Sequence, residues 1–369
     1  MKHIGTVVRG IKTPIITKNM NLKEVVVNSL LDASTEGNFS FNDKDVVAIT
    51  ESVVARCENN YVNMDDICYD IKRKFHTNHI GLVLPTPVSR NRFSLILKGI
   101  ARANRVNGNH IITSKIEHHA VLNSCKTLEQ EGFNVTYLNV DKNGRILLKE
   151  LENAITQNTI LITIMTANNE IGTIQPIEEI GKIAKMHNII FHTDSVQAIG
   201  NIRIDVQKMN IDSLSMSAHK FYGPKGVGAL YVREGIEFQK LQDGGHQEKD
   251  KRAGTENTAG IVGLGKAIDI AYKTIDNYNE HLQSLRDYYI SRVEKEIPDA
   301  ILNGDRSNRL PGNANFSFKG VDGGDLLLKL DEKGICASTG SACNTGSTAP
   351  SHVLVAIGTE MEYLQGSLR

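Results

Sequence analysis

The sequence predicts an α/β protein built on a largely parallel sheet. Two observations carry that reading. From His110 onward, short apolar runs alternate with segments of helical periodicity. Nearly every apolar run also ends in a cluster of polar residues, as expected where a parallel sheet presents its carboxyl ends along one edge.

Taken in order, residues 1 to about 100 read differently from the rest. Residues 7–16 are strand-like and interrupted by Pro14. Residues 22–31 have helical spacing, with Leu22, Val25, Val26, Ser29 and Leu30 on one side. A turn feeding a strand is expected over 43–50, and a second helix over 65–75. The alternating core then places strands at 110–114, 134–140, 159–165, 189–193, 211–217 and 229–232. Helices fall between them at 120–131, with Val121, Leu122, Cys125 and Leu128 on the apolar face, at 147–155, and at 176–186. The last has Pro176 at its first position and Ile177, Ile180 and Ile183 in register. A long amphipathic helix over 265–295 links to a smaller domain with a strand at 315–318 and a helix beginning at 324.

Composition narrows the class of function. The chain of 369 residues is 40% hydrophobic and 23% charged, enough apolar material for a real core. Its 42 basic residues balance 42 acidic ones, and no basic block or aromatic-basic stripe points to nucleic acid. No apolar run approaches a membrane span, and residues 1–18 contain no apolar signal-peptide segment. Cys57, Cys68, Cys125, Cys336 and Cys343 form no disulfide framework and no C-x-x-C pair. A cytoplasmic protein with free thiols is expected.

The polar strand ends carry the chemistry. The run 110–114 leads to Glu117-His118, 159–165 to Asn168-Asn169-Glu170, 189–193 to Asp194 and Gln197, and 211–217 to His219-Lys220 with a Gly/Pro turn behind it. A lysine between a dry strand and a glycine turn is poorly solvated, which lowers its pKa and frees the amine to attack a carbonyl. Ser217 and His219 can donate to a phosphate. Asp194 can pair with a protonated pyridine nitrogen, Gln197 and Asn169 can bond a ring hydroxyl, and His118 can lie on the ring and shuttle protons. Together these are the requirements of pyridoxal phosphate (PLP). Each residue also has a plainer reading: a surface lysine, an N-cap aspartate, loop amides, and a helix-start histidine, with His119 equally available. Residues 337–347 contain almost no bulky side chain, so Cys343 sits in a segment with little to anchor it, able to meet a ligand or simply exposed. Cys336, at the start of that segment, reads as structural.

Residues from about 97 to 369 resemble the class V, fold-type I PLP enzymes, and specifically the NifS/IscS-type cysteine desulfurases. The strings are His110-Ile111-Ile112-Thr113-Ser114-Lys115-Ile116-Glu117-His118-His119-Ala120-Val121, Asn168-Asn169-Glu170-Ile171-Gly172, His192-Thr193-Asp194-Ser195-Val196-Gln197 and Ser217-Ala218-His219-Lys220-Phe221-Tyr222-Gly223-Pro224-Lys225-Gly226. The resemblance implies Lys220 as the lysine bonded to PLP, Asp194 at the pyridine nitrogen, Gln197 and Asn169 near the ring oxygen, His118 on the ring, and Ser217 and His219 on the phosphate. Thr255, in Arg252-Ala253-Gly254-Thr255-Glu256-Asn257, would reach the phosphate of a neighbouring subunit, which implies a homodimer. Cys343 would be the nucleophile that takes sulfur from L-cysteine as a persulfide and releases L-alanine, and would also serve as a transient iron–sulfur ligand. The sulfur would pass to an acceptor or Fe–S scaffold protein for cluster or thio-cofactor assembly. Asn169 would also touch substrate. Arg369 aligns with the arginine that clamps the substrate carboxylate, although a last residue tends to fray.

Residues 1 to about 100 resemble instead the N-terminal part of the coenzyme F420-0 γ-glutamyl ligase family. The strings are Gly10-Ile11-Lys12-Thr13-Pro14, Asp45-Val46-Val47-Ala48-Ile49-Thr50-Glu51-Ser52-Val53-Val54 and Pro87-Val88-Ser89-Arg90-Asn91-Arg92-Phe93. Ile96-Leu97-Lys98-Gly99-Ile100-Ala101 is similar to both families, as at a joining of two genes. The desulfurase-like part lacks the family's first strand segment and its Ser-Gly-Gly/Ala-Thr-Glu phosphate loop. Three regions are therefore expected. Residues 1–100 form a partial, ligase-like α/β segment. Residues 101–262 form an N-terminally incomplete PLP-binding large domain with a largely parallel sheet. Residues 263–369 form a linking helix and a truncated small α+β domain with the Cys343 loop. A non-catalytic chimera or scaffold, or a γ-glutamyl ligase-like protein with an appended PLP-enzyme fragment, is the alternative.

Overall fold

The computed structural model describes residues 9–17, 20–42, 47, 49, 82–86, 91–340 and 350–369, with backbone alone at 82–86 and 91–93. The chain forms two compact units, Met1–Asn78 and His79–Arg369. The expected turn and strand at 43–50 and helix at 65–75 lie largely or wholly outside the described residues.

In the first unit, helix α1 spans Leu22–Glu36. The Asn21 side chain caps it by accepting from the Glu24 N–H, and Gly37 ends it. Val25 on its apolar side packs with Ile16, Met20 and Leu22. Residues 9–17 are irregular rather than a strand. Pro14 has no N–H to give a ladder, so an apolar run alone does not make one there.

The second unit is organised by a seven-stranded sheet. Its strands are β1 (Leu82–Thr86), β2 (His110–Ser114), β3 (Asn134–Leu138), β4 (Thr159–Thr163), β5 (Ile190–Asp194), β6 (Ser213–Ser217) and β7 (Gly228–Val232), in the order β1-β7-β6-β5-β4-β2-β3. The block from β6 to β3 is parallel, while β7 runs antiparallel to β6 and β1 antiparallel to β7. Helices α2 (Asn91–Ala103), α3 (His119–Gln130), α4 (Leu148–Ala154), α5 (Ile177–Met186) and α6 (Thr258–Glu296) cover the sheet. Alternate strand residues serve opposite faces. Ile111, Leu161 and Leu230 pack with Ile96, Ile100, Val121, Cys125 and Leu128 of α2 and α3. Their neighbours Ile112, Ile162 and Tyr231 pack on the other side with Leu151, Ile180, Ile183 and Leu264 of α4, α5 and α6. At about 1.5–3 kcal/mol for each fully buried aliphatic side chain, these two layers are the main favourable term for the unit.

Two boundaries differ from expectation. Pro176 is the N-cap of α5 rather than its first residue. Helix α6 begins at Thr258, ahead of the glycines at 260, 263 and 265, with Asn257 capping it by accepting from the Gly260 N–H. Glycine is needed at 263, because a Cβ there would lie 2.5 Å from Pro224 Cγ. Close packing overrides helix propensity at that point.

Beyond α6, strands β8 (Ala300–Leu302), β9 (Phe316–Phe318) and β10 (Ser367–Leu368) form a small antiparallel sheet in the order β10-β9-β8. Helices α7 (Gly323–Asp331), α8 (His352–Ala356) and α9 (Met361–Leu364) accompany it. Its core joins Phe316, Phe318 and Leu368 to Ile290 and Val293 at the end of α6. Among the described residues, no helix is long and apolar enough to cross a membrane.

Candidate active site

The carboxyl ends of β2, β4, β5 and β6 form one rim, as the sequence pattern predicts. Strand β6 ends at the buried Ser217 and runs into a single 3-10 turn, Ala218–Phe221, that carries His219 and Lys220. Tyr222 closes this turn in the left-handed region at φ 63°. A non-glycine residue there is strained by roughly 1–2 kcal/mol, the kind of strain that collects at functional sites. Gly223 then donates its N–H to the Ala218 carbonyl at 2.9 Å. His219 and Lys220 are exposed. That corrects the expectation of a poorly solvated lysine: the turn carries both residues clear of the dry strand end.

Lys220 lines a cavity of about 620 Å³ together with Asn169, Gln197 and Arg369. Asp194, the last residue of β5, is buried at the same rim, and its Oδ1 accepts from the Val196 N–H at 2.9 Å. Two residues back on the strand, the fully buried His192 bridges Thr163 Oγ1 of β4 (2.9 Å) and Ser215 Oγ of β6 (3.0 Å). Burial pushes its imidazole down to about 3, so it spans three strands as a neutral group.

Asn169 is presented by a braced loop. Asn168 Nδ2 donates to the Ile116 carbonyl at 2.9 Å, and its Oδ1 accepts from the N–H groups of Glu170 and Ile171. Asn313 and Asn315 donate to the Glu170 carbonyl, each at 3.1 Å. Arg369 is fixed rather than frayed. Its N–H and carbonyl form a reciprocal pair with Ser338, at 2.8 and 2.9 Å. It follows β10, and its guanidinium donates to the Asn169 carbonyl. Both of these site residues are therefore held from two directions.

His118 is the N-cap of α3, with Nδ1 accepting from the Ala120 N–H at 3.1 Å. That bond leaves Nε2 to carry the proton of the neutral ring. The competing His119 packs edge-on against His352 at 4.6 Å. Thr255 is exposed and is not among the residues lining the cavity. Cys336 is exposed, which corrects its reading as structural, and of the two described cysteines Cys125 is the buried one. Cys343 lies outside the described residues. Among the described residues, no group of three or more His, Cys, Asp or Glu side chains is placed to hold a metal ion. Sequence reasoning missed the cavity wall formed by Ile270, Thr274, Tyr278 and Leu282 of α6. Their i, i+4 spacing was the available signal, hidden by reading the helix only as a linker.

The donor set fits PLP. It offers an amine for the aldehyde, a buried carboxylate for the pyridine nitrogen, amides at one wall, and a serine and histidine beside the amine for the phosphate. The aminotransferase class-V family matches residues 64–368, and the chain belongs to that family of PLP-dependent enzymes. Its relatives include a protein of Clostridium botulinum named cysteine desulfurase IscS, 60% identical over 275 residues that cover 74% of this chain and 69% of the relative. Among solved structures, a NifS-like protein superposes with a TM-score of 0.72 at 37% identity, covering 78% of this chain and 76% of the other. A protein described as SspA in complex with cysteine gives 0.65 at 40% identity, covering 78% and 80%.

Proposed function

We propose that this protein is a PLP-dependent cysteine desulfurase that converts L-cysteine to L-alanine and leaves the sulfur as a persulfide on Cys343. The observation that carries the reading is the shared cavity of Lys220, Asn169, Gln197 and Arg369 at the carboxyl edge of the parallel strands. PLP, when bound, supplies an electron sink that labilises bonds at the substrate α- and β-carbons. Lys220 would hold its aldehyde, Asp194 its ring nitrogen, Gln197 and Asn169 its ring oxygen, and Ser217 and His219 its phosphate. The Arg369 guanidinium binds the substrate α-carboxylate, kept in place by the Asn169 carbonyl. His118 moves protons through Nε2, since Nδ1 is committed to the helix cap. The Cys343 thiol exchanges with substrate sulfur so that atoms balance: thiol plus L-cysteine gives persulfide plus L-alanine.

The same reading includes a homodimer in which Thr255 serves the neighbouring subunit, and a sulfur-acceptor or Fe–S scaffold partner served by Cys343, with Cys343 as a passing iron–sulfur ligand. It places the enzyme in the cytoplasm. It also keeps residues 1 to about 100 as a ligase-like segment, on the strings already quoted. The test is persulfide and alanine formation from L-cysteine. Cys343→Ser is expected to bind PLP as wild type does and to form no persulfide. Full persulfide transfer by that variant would sink the mechanism.

A further inference from the structure

Glu117 sits between Ser114, the last residue of β2, and the His118 cap, and nothing above gives it work. It is completely buried. Its Oε1 accepts from Ser114 Oγ at 2.7 Å and from the Met165 N–H at 2.9 Å, just past the end of β4. The next N–H along, that of Thr166, donates to the Asp194 carbonyl at 2.8 Å. The Glu117 carbonyl is in turn hydrogen-bonded to His352 Nε2 of α8 at 3.0 Å. Among the described residues, Oε2 has no hydrogen-bond partner. An ionised carboxylate with one bare oxygen in a dry interior is far more costly than a neutral acid in the same place.

We propose that Glu117 is a positioning residue of the cofactor rim, a neutral acid that locks the ends of β2 and β4 together and leaves Asp194 as the carboxylate for the ring nitrogen. The inference rests on the PLP assignment of Asp194. Burial, first, and the charge of Asp194 push the Glu117 carboxyl up to about 8, against the bonds from Met165 and Ser114. Asp194 from β5 and Cys125 from α3 interact with its carboxyl through space, His118 and His119 follow it in the chain, and His352 is hydrogen-bonded to its carbonyl. The Cys125 thiol is pushed up to about 12, chiefly by burial, and stays neutral. His119 is pushed down by burial and by His352. Glu117 is thus the group whose ionisation would put a second negative charge next to Asp194 at mildly alkaline pH, and that charge would help a cationic ring nitrogen keep its proton.

The test has two arms. The first uses infrared difference spectra of the cofactor-free protein, wild type against Glu117→Gln. A carboxylic-acid carbonyl stretch is expected at about pH 6, fading with a midpoint near 8 and absent from the variant. A carboxylate signature already present at about pH 6 overturns the proposal. If Glu117→Gln does not fold, Ser114→Ala decides the same point. Loss of a donor that favours the ionised form is expected to move the midpoint upward, and an unmoved midpoint counts against the proposal. The second arm titrates the visible band of bound PLP. A step near pH 8 is expected in wild type and missing in Glu117→Gln. Identical titrations with PLP bound in both proteins overturn the link to Asp194. A spectrum matching free PLP in both instead overturns the cofactor assignment and, with it, that link.

Discussion

Replacing Arg369 tests how the substrate is held. The guanidinium is half-buried and donates to the Asn169 carbonyl, while the backbone is fixed separately by the reciprocal pair with Ser338. Arg369→Ala therefore removes the proposed carboxylate clamp and leaves the backbone pair with Ser338 that orders this stretch. A hydrogen bond to a charged group contributes about 1.5–3 kcal/mol, which is roughly a 10- to 150-fold loss in kcat/KM for L-cysteine. Arg369→Lys keeps the charge but not the planar fork, so it is expected to recover only part of that loss. The assay is alanine formation across a range of L-cysteine concentrations, with thermal melts of all three proteins alongside. Cysteamine, which lacks the α-carboxylate, is the control: its binding at the site should be nearly indifferent to the substitution. An Arg369→Ala protein with unchanged kcat/KM for L-cysteine, or with equal losses for both compounds, would refute the clamp.

Other expectations follow from the packing and the buried charges. Gly181 on α5 is buried, and a Cβ there would lie 1.9 Å from the Met209 carbonyl oxygen. Gly181→Ala should therefore lower the melting temperature by roughly 4–10 °C, from about 2–3 kcal/mol of overpacking. Glu117 binds its proton more tightly folded than unfolded, so its contribution to stability is full below the ordinary 4.5 and drains away as pH rises to about 8. Relative to Glu117→Gln, wild type should lose up to about 1.4 kcal/mol per pH unit across that window, with a ceiling of roughly 5 kcal/mol; denaturant melts that run parallel for the two proteins would contradict this. His192→Phe removes both imidazole bonds between β4, β5 and β6 and strands two hydroxyls, a change of about 1–3 kcal/mol for each group left unpaired. Its urea midpoint should fall most above pH 6.5, where the ring is neutral both folded and unfolded, and the difference should narrow below that pH as the unfolded chain takes up a proton that the buried ring refuses.

Much of the second unit was legible because fully buried parallel strands are short apolar runs. His110–Ser114, Thr159–Thr163 and Ser213–Ser217 fall where those runs predict, and the polar residues behind them reach one edge as topology requires. Periodicity could not show how exposed Lys220 would be, since that depends on a 3-10 turn held by Tyr222 at positive φ. Nor could it show that Leu82–Thr86 pairs antiparallel with Gly228–Val232, because a proline-containing run gives no sign of its partner. Arg369 looked frayed by its position in the chain. It is held by Ser338 and by a carbonyl 200 residues away in sequence, contacts no local pattern encodes. The carboxyl of Glu117 was visible as a letter beside His118, but its meaning comes from burial and from an N–H beyond another strand.

The most direct test of the whole account is the visible absorption spectrum of the purified protein with PLP, recorded before and after addition of L-cysteine. A band distinct from that of free PLP is expected, lost in Lys220→Ala and altered by L-cysteine in wild type. A spectrum indistinguishable from free PLP and unchanged by L-cysteine beyond the response of free PLP itself would contradict it.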